Sequence, residues 1–161
     1  MATKILTAAL LTTVLSLSAC GKHASEHEAE HQAAEPAAKI ASLERTPSPD
    51  GARVFFISPA DGDTVSNPVR IEFGIEGMSV TKAGDDQPNS GHHHLVIDTD
   101  LPDLALPIPA DANYVHFGDG RTVTEITLEP GQHSLRMLLG DHLHIPHDPP
   151  VFSDPITITV E

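Results

Sequence analysis

Sulfur, large aromatics and positive charge are all scarce in this chain. A single cysteine among 161 residues excludes an intramolecular disulfide and a thiolate metal cage. With no tryptophan and one tyrosine, the chain lacks the flat stacking surfaces on which sugar-binding sites usually depend. Nine Lys and Arg stand against 23 Asp and Glu, for a formal net charge of −14. Such a surface repels phosphate backbones and anionic headgroups, which excludes nucleic acid as a partner. No Gly-x-Ser-x-Gly, His-Glu-x-x-His or phosphate-loop motif occurs, and no general base stands out, so the chain reads as a non-enzyme.

The lone cysteine has an informative address. "MATKILTAALLTTVLSLSAC" places Lys4 before an apolar run from Ile5 to Leu17, followed by small residues. That layout is a secretory signal, too short and too rich in Thr and Ser to span a membrane. It ends in Leu17-Ser18-Ala19-Cys20, which resembles a bacterial lipobox. The expectation is a signal peptide over residues 1–19 and a lipid anchor at Cys20, which holds the chain to the membrane. Gly21 after the cysteine, rather than Asp, predicts the outer membrane, facing the periplasm.

Residues 20–51 are rich in Ala, Glu and Pro and nearly devoid of large apolar side chains. Such a segment cannot offset its ordering entropy by burial, so it reads as a flexible, disordered acidic tether of roughly 30 Å. His23, His27 and His31 recur every four residues within it. After Gly51 the texture changes. "RVFFISP", "VRIEFGIEG", "HLVID", "NYVHF", "TVTEITL", "HSLRMLL" and "ITITV" are short, rich in Val, Ile, Phe and Thr, and separated by Gly, Pro, Asp and Asn. Residues 52–161 therefore predict an all-β domain, an immunoglobulin-like antiparallel β-sandwich of about seven strands. A closed barrel is the second choice. "SPADGDTVSNPVRIEF" resembles the first two strands of many bacterial immunoglobulin-like modules.

Against this background of absences, histidine is abundant. Eight of the 11 fall between Gly91 and Pro150. Alternation along "HHHLVID" aims His93 inward with Leu95 and Ile97, and aims His92, His94 and Asp98 outward with Val96. His133 shares the inward parity of Leu135, Met137 and Leu139, so it caps the core at one end. Two imidazoles at positions i and i+2 of a strand can converge on one ion at about 2.0–2.1 Å. The chain offers this pattern at His92/His94 and at His142/His144, with His147 close enough to join the second. His93, His116 and His133 are either further ligands or loop-shaping residues. Asp98 and Asp141 can accept a hydrogen bond from the far nitrogen of a ligating ring.

"SGHHHLVID", "HFGDGRT" and "LEPGQHSLRMLLGDHLHIPHDPPVFSDPITITV" together resemble a bacterial family known only as domain of unknown function 4399. The likeness covers about Phe55–Val160. It implies an exported, often lipid-anchored β-domain and points to the same histidine segments, while supplying no activity. The chain departs from the family pattern at Arg121, where that pattern has Gln.

Imidazole and carboxylate ligands suit copper or zinc, with Cu²⁺ the tighter binder at equal geometry. The leading expectation is an envelope-anchored domain that binds a divalent transition metal for handling or buffering. The alternatives are a non-metal module that binds an envelope protein and, third, a metal-dependent enzyme. The metal reading predicts that His92 and His94 meet His142, His144 or His147, with affinity falling as pH drops through about 6.5.

Overall fold

The computed structural model describes residues 43–161. The signal segment, Cys20, most of the expected tether and its three histidines lie outside the described residues. None of the described residues is helical. Nine strands run in chain order: β1 (Arg53–Ser58), β2 (Thr64–Val65), β3 (Val69–Glu76), β4 (Ser79–Val80), β5 (Ser90–Ile97), β6 (Tyr114–His116), β7 (Val123–Ile126), β8 (Gly131–Gly140) and β9 (Ile156–Val160). Seven of them coincide with the seven β-prone runs. The other two, β2 and β4, are two-residue pairings too short to carry a period.

The strands form the expected all-β sandwich. One sheet has the order β1-β3-β7, and the other β2-β9-β8-β5-β4 with β6 also paired to β5. Pairing is antiparallel except for the short β2–β9 and β4–β5 contacts, which are parallel. Period-2 alternation puts Val54, Val69, Ile71 and Phe73 of the first sheet against Leu95, Leu135, Met137, Leu139 and Ile158 of the second. Truncating one of these, as in Leu135→Ala, costs about 2–5 kcal/mol through lost burial and the cavity left behind.

All eight residues of β5 are buried, which holds for no other strand. Its odd positions face the sandwich core, as their spacing predicts. Its even positions, expected to point outward into solvent, are buried under a second apolar layer. The connection from β5 to β6 folds back over them, and Ile108 packs on Val96 and Leu138 with Leu101, Leu104 and Tyr114 alongside. Two hydrogen bonds pin this cover. The Tyr114 hydroxyl donates to the Asp100 carbonyl at 2.8 Å, and the Ile108 amide donates to the His144 carbonyl at 2.8 Å.

The domain also starts before residue 52. The backbone of Thr46 and Ser48 pairs with Asp148. Arg45 donates to the carbonyls of Pro146 and His147, and Thr46 Oγ1 donates to Asp141 Oδ2 at 2.7 Å. Low hydrophobicity marked this stretch as tether, yet its polar side chains bind it to the domain through hydrogen bonds rather than burial.

Candidate metal centre

The pleat of β5 sets His92 and His94 side by side on the covered face, and both are fully buried. Their Nε2 atoms lie 3.1 Å apart. Register supplies the next ring: β6 pairs with β5 so that His116 stands directly opposite His94. Ring centroids of His116 lie 4.9 Å from His92 and 5.0 Å from His94. A fourth ring comes from the turn after β8, where His144 lies 4.9 Å from His92, 6.1 Å from His94 and 4.8 Å from His116. His92, His94 and His116 each offer a nitrogen within 4.8 Å of the others, so the three could hold a metal ion.

Local backbone chemistry explains how four rings fit together. Asp141, itself buried, accepts from the amides of Leu143 and Ile145 through Oδ1. The His144 amide closes the turn on the Asp141 carbonyl at 2.9 Å. His144 takes φ 67°, a left-handed conformation uncommon for a residue with a side chain. Glycines clear the space around the rings. A Cβ on Gly118 would lie 2.3 Å from His116 Cε1, and one on Gly140 would lie 3.1 Å from His94 Nε2. Neither glycine stood out in the sequence, although each lies beside a histidine segment.

Burial and mutual repulsion hold three of the rings neutral. Burial, then the neighbouring His116 and His144 rings, push the pKa of His92 down to about 4, with Asp141 opposing. Burial, then His92, His116 and His144, take His94 down to about 2. His116 is lowered in the same direction, by burial and then by His144. His92, His94 and His116 therefore present lone pairs rather than positive charge at neutral pH. The Nδ1 atoms of His92 and His94 are buried without a hydrogen-bond partner, and each Nε2 has only the other ring.

The structure sorts the remaining histidines. His142 turns away from the cluster, its Nδ1 3.6 Å from Asp86 Oδ1. His147 is buried elsewhere and donates through Nε2 to the Ser90 carbonyl at 3.1 Å. The expected His142/His144 pair is split because residues 141–145 form a turn, not a strand, and alternation does not apply there. His93 faces the core as its parity predicts, 5.0 Å from the Phe73 ring, but neither of its nitrogens finds the loop backbone expected of it. His133 does find such partners: Nδ1 donates to Asp98 Oδ2 at 2.7 Å and Nε2 to the Glu129 carbonyl at 2.8 Å. Asp98 thus supports His133 and the Ser134 amide rather than the cluster. Asp141 acts on the cluster by building the turn that carries His144, and it accepts no hydrogen bond from a histidine ring.

No curated protein matches the chain in sequence. Residues 71–161, which contain all four rings of the cluster, match the family described as Domain of unknown function (DUF4399), and the chain belongs to that family.

Proposed function

We propose that this domain binds one divalent transition-metal ion, copper or zinc, through His92, His94 and His116, with His144 as the fourth ligand. It does so at the cell envelope, held there by acylated Cys20, and serves in metal handling or buffering rather than catalysis. The observation that carries the reading is the convergence of four imidazole rings, two of which, His92 and His94, are fully buried with Nε2 atoms that face each other and have no other partner. Two nitrogens bound to one ion at 2.0–2.1 Å lie about 3.3 Å apart in a tetrahedral shell and about 2.9 Å apart in a square-planar one. The 3.1 Å between the Nε2 atoms of His92 and His94 falls between these values. Buried polar nitrogens left unpaired cost about 1–3 kcal/mol each. The unpartnered Nδ1 atoms of His92 and His94 carry that cost in the ion-free protein.

Copper is favoured over zinc by the general order of divalent affinities for nitrogen ligands. Calorimetric titration of the untagged protein with Cu²⁺ and Zn²⁺ tests the proposal. One equivalent of ion binds, and the Cu²⁺ complex shows nitrogen hyperfine structure in its electron paramagnetic resonance spectrum. Binding of neither ion sinks the metal reading and leaves the rings as part of an interaction surface. Cys20→Ala tests the anchor separately: the protein leaves the membrane fraction or accumulates as precursor.

A further inference from the structure

The four rings are not equally accessible. His92 and His94 are fully buried beneath the Ile108 layer. His116 sits at the end of the short strand β6, and its ring lies over Gly118, where any side chain would collide with it. Beside it opens a hollow of about 380 Å³ lined by His116, Phe117, Gly118, Asp119 and Arg121. Arg121 is folded back on Asp119, with Nη2 2.6 Å from Oδ2, so the guanidinium and the carboxylate neutralise each other at the rim. The hollow is larger than one water molecule needs and is about the size of an imidazole or amino-acid ligand with its solvation. It reaches the cluster from the side of its most accessible ring.

We propose that the cluster is a transfer site: an external imidazole-bearing ligand enters the hollow beside His116 and takes over the ion before the ion has left the protein. This rests on the metal reading above and adds the route of exchange. The step is a ligand substitution with no change of oxidation state. A lone pair of the incoming nitrogen forms a bond to the ion as the bond to the His116 nitrogen breaks, and His116 becomes a free neutral imidazole. His92 and His94 release last, because both are fully buried whereas His116 borders the hollow. A site closed on all sides would behave differently, since its ion would have to dissociate before any acceptor could bind it.

The test is the rate at which the Cu²⁺-loaded full-length protein gives up its ion to free histidine, followed by the visible absorbance of the protein complex. Transfer by way of the hollow makes the rate climb in proportion to histidine concentration, about tenfold over a tenfold range. Filling the hollow with Arg121→Trp slows transfer at least fivefold while leaving the equilibrium affinity within about twofold of the native protein. A rate indifferent to histidine concentration overturns the proposal alone and leaves the metal site standing. Native kinetics in Arg121→Trp also overturns it, because the ion then leaves by another path. Failure of the unmutated protein to take up Cu²⁺ overturns the metal reading and this inference with it.

Discussion

His93 and His94 are neighbours in sequence, both fully buried, and they point to opposite faces of β5. On the core face, His93 stands alone among Phe73, Leu139 and other apolar side chains, and its pKa is pushed down to about 4 by burial with no other contributor. On the covered outer face, His94 meets three more imidazoles, which add to burial and take it to about 2. Equal burial therefore has two meanings. A solitary buried histidine is a packing element that carries a polar penalty, whereas a buried group of histidines is an unsaturated set of lone pairs facing a common centre.

The sharpest way to break this contrast is to remove one ring from each face. His94→Ala lowers Cu²⁺ affinity by about a hundredfold or more, because it deletes a ligand from the buried pair. His93→Leu leaves that affinity within about threefold. Titration calorimetry on both variants decides the matter. Equal losses would mean that the core face supports binding as much as the outer face does, and the division drawn here would fail.

A second comparison uses pH. Imidazole must be neutral to ligate, and the lowered values of His92 and His94 keep both neutral well below the ordinary 6.5. The share of the fall in affinity that belongs to His92 and His94 is thus displaced below the range expected of an unperturbed imidazole, to about pH 4 and lower. The apo protein shows the matching trend in stability. His93 binds a proton below about 6.5 when unfolded and only below about 4 when folded. The unfolded state holds more protons in that window, so stability is lost as pH falls through it, by roughly 3 kcal/mol for a fully buried group. Urea unfolding at pH 7 and pH 4.5 measures the slope, and His93→Leu removes the share belonging to His93. The same variant also eliminates two unpaired buried nitrogens, which stabilises the protein at pH 7 by about 1–3 kcal/mol.

How much of this was legible beforehand follows from the range of the forces involved. The seven longer strands were readable because alternation is a local property, and so was the opposition of His93 to His92 and His94. The burial of the outer face was not, because its cover arrives from residues 99–113, whose sparse apolar side chains show no period. His116 was one histidine among several until the β5–β6 register set it opposite His94, and register depends on contacts distant in sequence. His144 parted from His142 because the Asp141 carboxylate captures the Leu143 and Ile145 amides, which makes a turn where alternation implied a strand. The early start of the domain was hidden for a related reason, since Arg45 and Thr46 hold by hydrogen bonds that composition does not reveal.

That last contact gives a prediction of intermediate size. Thr46→Val keeps the shape of the side chain but deprives the Asp141 carboxylate of one donor, costing about 1.5–3 kcal/mol for a hydrogen bond to a charged group. Thr46→Ser restores most of it. Because Asp141 builds the turn that presents His144, Thr46→Val also weakens metal binding by a few-fold, and Thr46→Ser does not. A Thr46→Val protein with native stability and affinity would show that residues 45–48 lie on the domain without supporting it.

The smallest effect separates His133 from both faces of β5. Its two ring nitrogens contact only acceptors, Asp98 Oδ2 and the Glu129 carbonyl, so both nitrogens carry hydrogens when both contacts are made, and the ring is then an imidazolium. Burial pulls its pKa down, but the hydrogen bonds it donates to the Glu129 carbonyl and the Asp98 carboxylate, with the negative charge of Asp98, outweigh burial and leave it raised. The sign is therefore opposite to that of His93. The contribution of His133 to stability is fully present below the unfolded value of about 6.5 and is lost as pH rises through the folded value. Asp98→Asn removes the carboxylate and keeps an acceptor, so the pKa of His133 falls toward 6.5. The Asp98 side chain is 42% exposed, and solvent screening limits the loss of stability near pH 6 to under about 1 kcal/mol. Titration of the His133 ring by nuclear magnetic resonance follows the shift directly, and an unchanged midpoint in Asp98→Asn would mean that the Glu129 carbonyl alone holds the proton on the ring.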